Sequence, residues 1–333
     1  MIINKIIARK ILASMGNETV EVTVNELFTA SVPAGISAGK YEIKKVSPAE
    51  AISQIGQIER ICHGKDWTQE TLDAEISSHN FGGNATLAVS AAFFKAHFQF
   101  PISNFQFPKL MLLLFEGGEH GNKNITAQEF LVIEDTIDYA RKNFKITKEY
   151  LVANNIEHTV GAEGGFSPAN LDNQGVLDLI KKVLPGGKIG VDMASCFNKS
   201  QIPQNVFSVE DPYSDESWSD WTNLTKLNKY LVVGDDLTTT NPDRIKKAME
   251  LKCVNGVVIK PDQIGTISQA KKAVQVACSG GLKIIVSHRG EETNDTWIVD
   301  FALQVEADYV KFGGMDRGER VAKYNRLMEL GMK

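Results

Sequence analysis

One phrase recurs through the second half of this chain: a short apolar run that ends abruptly on a charged or strongly polar residue. The residues that end these runs are Asp192, Glu210, Asp235, Lys260, His288 with Arg289, and Lys311. The intervening stretches are long enough for a helix and a turn, so the pattern predicts parallel strands joined by crossover helices. Because the carboxyl ends of barrel strands line a single mouth, we expect these side chains to meet there.

The predicted barrel occupies residues 106–333, and its opening is irregular. The runs LMLLLF (110–115) and QEFLVIE (128–134) are separated only by a Gly-rich loop, which is too short for a crossover helix. They are therefore predicted to pair antiparallel. Helical patterns follow at 135–155 and 170–184. The predicted fold class is α/β, a (β/α)8-like barrel with the order ββαα(βα)6.

Residues 1–105 are predicted to form a smaller α+β domain ahead of the barrel. The segment up to about residue 45 is rich in Val, Ile and Thr and favours strands, whereas about 47–98 is helical in pattern. Two prolines in 101–108 indicate a link to the barrel. The Gly- and Ser-rich segment VPAGISAGKYE (32–42) is interpreted either as a mobile surface turn or as a lid over the barrel mouth.

Composition limits the function classes. The 333 residues are 43% hydrophobic and 23% charged, as in ordinary globular enzymes. The net charge of -5 gives no reason to expect nucleic-acid binding. Neither a signal peptide nor an apolar stretch of about 20 residues is present, so no membrane partner is expected. Four scattered cysteines favour reduced thiols, and the predicted location is cytoplasmic.

Three of the strand-end residues are acids: Asp192, Glu210 and Asp235. Converging carboxylates repel one another strongly at low dielectric, and a divalent cation would relieve this repulsion. Mg²⁺ prefers such hard oxygen ligands together with water and substrate oxygens. The alternative interpretation is that each acid caps the helix that follows it. The sequence thus predicts a Mg²⁺ site at the barrel mouth.

The remaining strand-end residues are basic. Lys260 and Lys311 are expected among cationic neighbours, which would lower the pKa of an amine and make it available as a base. A solvated lysine at a strand end is the alternative for either residue. His288 and Arg289 follow each other, and the planar guanidinium fork suits a phosphate or carboxylate. The His288-Arg289 pair therefore predicts an anion-binding site at the mouth.

Two motifs lie before the repeated phrases. VGAEGGFSP places Glu163 between glycines and apolar residues, and we expect this setting to raise its carboxyl pKa as a general acid requires. GGEHGNKNITAQEF supplies His120, Gln128 and Glu129. A Gly-Gly pair alone is weak evidence for a functional site, but His, Gln and Glu at these offsets from it are much stronger evidence. Both motifs are predicted to contribute to the same site.

Taken together, these motifs resemble those of the enolase family, the phosphopyruvate hydratases, along nearly the whole chain. The matching segments are ARKILASMGNETVEV, VPAGISAGKYE, AQEF, GAEGGFSP, VEDP, GDDLTTTNP, IKPDQIGT, SHRGEETND and KFGGMDRGERVAKYN. The resemblance implies an enolase-type barrel behind a capping domain. It implies a lyase that reversibly dehydrates 2-phosphoglycerate to phosphoenolpyruvate in glycolysis and gluconeogenesis.

The resemblance also implies roles for single residues. Lys260 matches the base that takes the proton from C2 of the substrate. Glu163 matches the acid that helps the C3 hydroxyl leave as water, and Glu129 lies beside it. The three strand-end carboxylates match the ligands of Mg²⁺. Substrate contacts are implied for His120, Gln128, His288, Arg289, Gly290, Lys311 and Ser37.

Among these contacts, Arg289 and Ser37 match groups near the phosphate or a second Mg²⁺. Ser37 is therefore counted as a metal ligand as well. Lys311 matches the group that neutralises the substrate carboxylate, and it is counted with His120 among the catalytic residues. The only partner implied is this small-molecule substrate.

Several positions depart from the family pattern. Gly290 stands where the family has a serine, so one hydroxyl contact to the phosphate is lost. Ala162 replaces an acid before Glu163, and Glu116 and Glu119 replace small polar residues near His120. An enolase-like enzyme for another 2-hydroxy acid and a non-catalytic paralogue are the alternatives. The family is commonly dimeric, but this sequence leaves a homodimer open.

Overall fold

The structure, a computed structural model, describes residues 1–34, 39–99, 106–194 and 202–333. It begins with a three-stranded antiparallel sheet in the order β1-β2-β3. The strands are β1 (Ile6–Leu12), β2 (Glu18–Val24) and β3 (Phe28–Ser31). The strands expected before residue 45 are confirmed. The valines of β2 point alternately inward and are buried, as the period of two in that sequence requires.

Three helices follow: α1 (Pro48–Cys62) and α3 (Gly83–His97) pack on this sheet, and α2 (Gln69–Ser77) packs on α3. Helix α1 begins where the sequence indicates, because the Ser47 hydroxyl accepts the backbone N–H of Glu50 at 3.2 Å and Pro48 takes the first helical position. Helix α3 is buried along most of its length, between the sheet and the barrel. It therefore joins the two layers.

Eight strands form a closed barrel in the order β4 to β11, with β11 returning to β4. Strand β5 runs antiparallel to both neighbours, and the remaining pairs are parallel. The strands are β4 (Lys109–Glu116), β5 (Glu129–Glu134), β6 (Ile189–Asp192), β7 (Ser208–Glu210), β8 (Leu231–Gly234), β9 (Gly256–Ile259), β10 (Lys283–Ser287) and β11 (Tyr309–Lys311). The predicted barrel and its antiparallel opening are confirmed.

Seven helices surround the barrel in the described part of the chain. They are α4 (Ile137–Ala153), α5 (Asn173–Val183), α6 (Trp218–Thr225), α7 (Pro242–Leu251), α8 (Ile267–Ser279), α9 (Trp297–Gln304) and α10 (Gly318–Glu329). The two helical patterns predicted after the opening strands correspond to α4 and α5. The expected division at residue 105 falls within 100–105, outside the described residues. Within the described ranges, no helix has the length and apolar character needed to cross a bilayer.

Apolar side chains fill the barrel interior. One buried cluster is contributed by five strands: Met111, Leu113, Leu131, Val233, Val258 and Ile285. The lumen is thus a packed core, as in other eight-stranded α/β barrels. Polar side chains from the strands are therefore confined to the two ends of the barrel, and those that end the apolar runs lie at the mouth.

The N-terminal sheet is attached beside this mouth. The Ser31 hydroxyl lies 2.7 Å from that of Thr293, and the Trp297 indole N–H donates to the Ser31 carbonyl at 2.8 Å. Ser14 N–H donates to the Glu292 carbonyl at 2.7 Å. Because these bonds hold β3 next to the loop after β10, the segment that follows β3 is delivered to the barrel mouth.

Candidate active site

The barrel mouth contains a cavity of about 550 Å³, formed by the carboxyl ends of the strands and the loops that follow them. Most of the residues predicted from the sequence line it. They are His120, Gln128, Glu129, Glu163, Asp192, Asp235, Lys260, His288, Arg289, Gly290 and Lys311. Ser37 lies outside the described residues. The repeated strand-end phrase therefore does bring its charged ends to one place.

Lys311 binds three carboxylates at once. Its Nζ donates to Glu129 at 2.6 Å, to Glu210 at 2.7 Å and to Asp192 at 3.0 Å. The side chain is only 3% exposed. Burial alone lowers the pKa of Lys311, but these carboxylates outweigh burial and raise it well above its ordinary value. Lys311 is therefore a fixed positive charge, and the expectation that its pKa is lowered is wrong.

Lys260 is paired with Asp235. Its Nζ contacts the Asp235 Oδ2 directly, and Gln263 donates to the other carboxylate oxygen at 3.1 Å. Burial lowers the pKa of Lys260, yet the charge of Asp235 outweighs burial and raises it. The expected lowering is wrong here too, because the nearest neighbour is an acid rather than another cation. Lys260 has to leave this ion pair before it can act as a base.

The three acids proposed as metal ligands come from adjacent strands. Asp192 and Glu210 are register partners on β6 and β7, and Asp235 follows the end of β8. All three are at least 90% buried. Burial and the charge of Asp192 raise the pKa of Glu210 well above its ordinary value. Among the described residues, Glu210 Oε2 is a buried oxygen with no hydrogen-bond partner.

Such a donor set fits a hard divalent cation, because it offers carboxylate oxygens of which one has no donor to satisfy it. A second grouping lies beside it. One oxygen each of Asp211, Asp235 and Asp236 lies within 4.8 Å of the others. Asp211 is also bonded to the backbone N–H groups of Asp235 and Asp236, at 3.0 and 2.7 Å, so it caps this turn. The structure therefore contains acidic groups able to hold a metal ion.

Glu163 is surrounded by imidazoles. Its Oε1 lies 3.3 Å from Nδ1 of His120, and its Oε2 lies 3.7 Å from Nε2 of His288. Burial raises the pKa of Glu163, but the His288 ring N–H, the charged His120 ring and the Arg320 guanidinium outweigh burial and hold it well below its ordinary value. The expected raised pKa is therefore wrong. The sequence shows the glycines beside Glu163 but not the rings that the fold places against it.

The two histidines differ in charge. Burial lowers the pKa of His120, but Glu163 outweighs this and raises it to about 9. Burial, together with the charges of Arg320 and Lys311, lowers the pKa of His288 well below its ordinary value. Arg320 donates to His288 Nδ1 at 2.7 Å, so the neutral ring carries its proton on Nε2 and faces Glu163.

Arg289 lies across the mouth between two acids. Both terminal nitrogens of its guanidinium donate to Glu42, at 3.1 to 3.2 Å, and one lies 3.3 Å from Asp262. Lys45 donates to Asp262 at 2.8 Å. Burial raises the pKa of Asp262, but Arg289 and Lys45 outweigh it and lower the pKa to about 2. The guanidinium is thus oriented by residues of both the N-terminal segment and the barrel.

Gly290 stands where Glu163 and His120 approach the loop after β10. A Cβ added there would lie 3.3 Å from Glu163 Oε1 and 3.5 Å from His120 Nε2. Any side chain at this position would therefore press on the pair. Gln128 also lines the cavity, and its backbone N–H donates to the Asp192 carbonyl at 2.9 Å.

Comparison with known proteins agrees with this geometry. Residues 190–332 match the family model of the C-terminal TIM barrel domain of enolase. An enolase from Ehrlichia ruminantium (strain Gardel) is 32% identical over 402 aligned positions, which cover 98% of this chain and 95% of the relative. The chain belongs to the enolase family. An enolase from Elusimicrobium minutum (strain Pei191) is 29% identical, with the same coverage of this enolase-family chain and of the relative.

Several residues of the site were not predicted from the sequence of this enolase-family chain. Glu42, Asp262, Gln263 and Arg320 contact the predicted residues, yet they end no apolar run. Asp262 and Gln263 follow Lys260 within two and three positions, in the IKPDQIGT segment, and this is the signal that could have found them. Glu42 ends the VPAGISAGKYE segment, which was interpreted as a possible lid, but its partner Arg289 is 247 positions away and the sequence did not indicate that pairing.

Proposed function

We propose that this chain is an enolase, a lyase that reversibly dehydrates 2-phosphoglycerate to phosphoenolpyruvate in the presence of Mg²⁺. The observation that carries the proposal is the arrangement of the mouth in a chain of this family. Lys260 and Lys311 both lie within a buried group of strand-end acids, and the Glu163–His120 pair lines the same cavity. Acid, base and metal-binding groups are thereby brought together around a space of substrate size.

Lys260 is proposed as the base that removes the C2 proton. That proton is α to a carboxylate and very weakly acidic, so the dianion formed needs concentrated positive charge. When bound, Mg²⁺ supplies such charge at the substrate carboxylate. Asp192, Glu210 and Asp235 would hold it. Asp235 is also the partner of Lys260, so this carboxylate cannot give its full charge to both.

Lys311 is proposed to neutralise the substrate carboxylate. Its Nζ keeps a positive charge at all working pH values, because its pKa is raised by three carboxylates. Burial and the acids around it raise the pKa of Glu129 to about 8, although Lys311 opposes this shift. Glu129 therefore carries a proton over part of the neutral range and lies where a substrate contact is proposed.

The acid that assists departure of the C3 hydroxyl is proposed to be the Glu163–His120 pair rather than Glu163 alone. Because the pKa of Glu163 is low and that of His120 is raised, the pair holds one proton at neutral pH, and His120 carries it. Glu163 Oε1 and His120 Nδ1 lie 3.3 Å apart, and a slightly closer approach in the substrate complex would let that proton pass between them. Neutral His288 faces Glu163 and orients it.

Arg289 is proposed to bind the phosphate, together with the backbone at Gly290 and with Ser37. Its fork geometry suits a tetrahedral oxyanion. A phosphate that binds Arg289 has either to displace Glu42 from the guanidinium or to share the guanidinium with Glu42. Gln128 and His120 are proposed to complete the substrate contacts. We further propose a cytoplasmic location and a place in glycolysis, and light scattering of the purified chain would decide whether it dimerises.

The proposal is tested by mixing the purified chain with Mg²⁺ and 2-phosphoglycerate and following the ultraviolet absorbance of the enol product. We expect turnover by the wild type, and its loss in Lys260→Ala. Lys283→Ala is the matched control, because Lys283 begins strand β10 at the opposite end of the barrel and is exposed. Absence of turnover by the wild type, or equal activity of Lys260→Ala and Lys283→Ala, would refute the assignment.

Metal binding has a test that needs no turnover. Titration calorimetry with Mg²⁺ alone should show binding to the wild type and weaker binding to Asp192→Asn. Removing one charged ligand of a few is expected to weaken affinity by about tenfold or more. Mg²⁺ binding without turnover on any acid would instead support the non-catalytic alternative.

A second function is favoured by one observation, the pairing of Arg289 with both Glu42 and Asp262. Two acids on the proposed phosphate ligand weaken its field, and Gly290 adds no hydroxyl. An enolase-like enzyme for a 2-hydroxy acid without a phosphate would need neither a strong positive field at Arg289 nor a hydroxyl at position 290. A panel of phosphorylated and non-phosphorylated 2-hydroxy acids separates the two functions, and preference for the latter group would replace the first proposal.

A further inference from the structure

Glu116 is a buried acid that the proposed reaction does not use. It is the last residue of strand β4, and none of its surface is exposed. Its two carboxyl oxygens accept two backbone N–H groups of the loop that carries Glu163. Oε2 accepts the N–H of Glu163 itself at 2.9 Å, and Oε1 accepts that of Gly165 at 2.7 Å.

The loop closes around this carboxyl group. Gly161 packs so tightly that an added Cβ would lie 2.3 Å from the Glu116 Cδ. The Glu116 N–H donates to the Phe166 carbonyl at 3.0 Å, and the Ser167 hydroxyl donates to the Glu116 carbonyl at 2.9 Å. The loop is thus bound to the end of one barrel strand through both the main chain and the side chain of a single residue.

Glu116 also lies close to the proposed acid pair. One atom each of Glu116, His120 and Glu163 lies within 4.8 Å of the others. Burial and the charge of Glu163 raise the pKa of Glu116, whereas the two backbone N–H bonds favour the ionised carboxylate, in which both oxygens accept. A buried carboxyl so near another acid is costly, and a residue of the same shape with one acceptor oxygen would satisfy only one N–H. The two oxygens are what the loop geometry requires.

We propose that Glu116 is a positioning residue, which fixes the 160–166 loop on the end of β4 and thereby holds the Glu163 carboxylate beside His120. This inference rests on the proposed function, because the Glu163–His120 pair gains its importance from the proton it handles there. The carboxyl group acts on the backbone of Glu163, not on the substrate. A displacement of about 1 Å at such a pair is enough to slow a proton transfer by about 100-fold.

The test uses Glu116→Gln with Glu134→Gln as its matched control. Glu134 ends the neighbouring strand β5 at the far end of the barrel, is 8% exposed, and accepts from Asn143. In Glu116→Gln we expect kcat on 2-phosphoglycerate to fall by about 10- to 100-fold while KM changes by less than about threefold. Glu134→Gln should keep the wild-type kcat.

A second variant reaches the same contact from the loop. Gly161→Ala pushes the loop away from Glu116 but leaves every charge in place. We expect it to lower kcat in the same way, and to lower the His120 pKa, because Glu163 moves away from the ring. An NMR titration of the His120 ring measures this shift and does not require turnover.

The outcomes are separable. Wild-type kcat and wild-type His120 titration in folded Glu116→Gln and Gly161→Ala would overturn the proposal. If Glu116→Gln does not fold, Gly161→Ala decides alone. Loss of the fold in both variants, with Glu134→Gln folded, would assign Glu116 to stability only and would also overturn it. An inactive wild type refutes the proposed function, yet the His120 titration still tests the position of Glu163.

Discussion

Replacing Lys311 with methionine should strongly destabilise the barrel. Methionine is similar in length and apolar, so the change removes the charge and three hydrogen bonds but leaves little empty space. The Glu129, Asp192 and Glu210 carboxylates then lose the cation that lies 2.6 to 3.0 Å from them. Removing one partner of a buried ion cluster typically costs about 3–5 kcal/mol.

This cost converts into a measurable temperature shift. With an unfolding entropy of about 2.1 cal/mol/K per residue, each kcal/mol of lost stability lowers Tm by about 1.4 °C in a chain of 333 residues, so Lys311→Met should unfold about 4–7 °C below the wild type. Differential scanning calorimetry measures this shift. The buffer contains a chelator, because bound divalent cations would otherwise compensate the charge of the three carboxylates. Retained near-ultraviolet dichroism at low temperature would show that the variant starts from a folded state.

The matched control is Lys283→Met. Lys283 lies 2.6 Å from Asp308, but its side chain is 53% exposed. A solvent-exposed pair contributes about 0–1 kcal/mol, so this variant should lose less than about 1.5 °C. Equal Tm values for Lys311→Met and Lys283→Met would refute the conclusion that the Lys311 cluster stabilises the mouth. A higher Tm for Lys311→Met would show that desolvation of the cluster exceeds its attraction.

Two further predictions concern single charges. The pKa of His120 is raised to about 9 from 6.5, so its pairing with Glu163 stabilises the fold fully below pH 6.5, and this contribution, about 3 kcal/mol, is lost as the pH rises through 9. Between pH 6.5 and pH 9, denaturant unfolding should therefore show a larger fall in the free energy of unfolding for the wild type than for His120→Asn. Equal falls in the two proteins would contradict this prediction. Glu42→Gln should raise the affinity for inorganic phosphate several-fold, because Arg289 then loses the carboxylate that accepts from both of its terminal nitrogens. Calorimetry measures this affinity, and an unchanged or weaker affinity would show that Glu42 orients the guanidinium rather than competes for it.

The fold could be predicted because its signals are local. Each apolar run and its final charged residue lie within a few positions, and alternation of strand and helix patterns then dictates a barrel with one polar mouth. The antiparallel start followed from the short loop between β4 and β5, which leaves no room for a crossover helix. Placement of Asp192 and Lys311 at the mouth follows from these local features alone.

The charge states could not be predicted, because they depend on partners distant in the sequence. Asp235 raises the pKa of Lys260, and two imidazoles lower that of Glu163, against the expected direction in both cases. Arg289 and Glu42 are 247 positions apart. An apolar run indicates where a residue lies along a strand, but it does not indicate which charge the fold places against it.

These pairings bear on how ligands enter the mouth. Every cation proposed to act on the substrate is bonded to an acid: Lys260 to Asp235, Lys311 to three carboxylates, and Arg289 to Glu42. A metal cation arriving alone would have to compete with the lysines for these acids, and an anionic substrate arriving alone would have to compete with the acids for the cations. When both bind, the metal ion takes up acids and so frees cations for the substrate, and the substrate takes up cations and so frees acids for the metal ion. The ion pairs are thus exchanged rather than broken. The geometry of the mouth therefore favours binding of metal and substrate together, with positive cooperativity and hence a negative coupling free energy between the two sites.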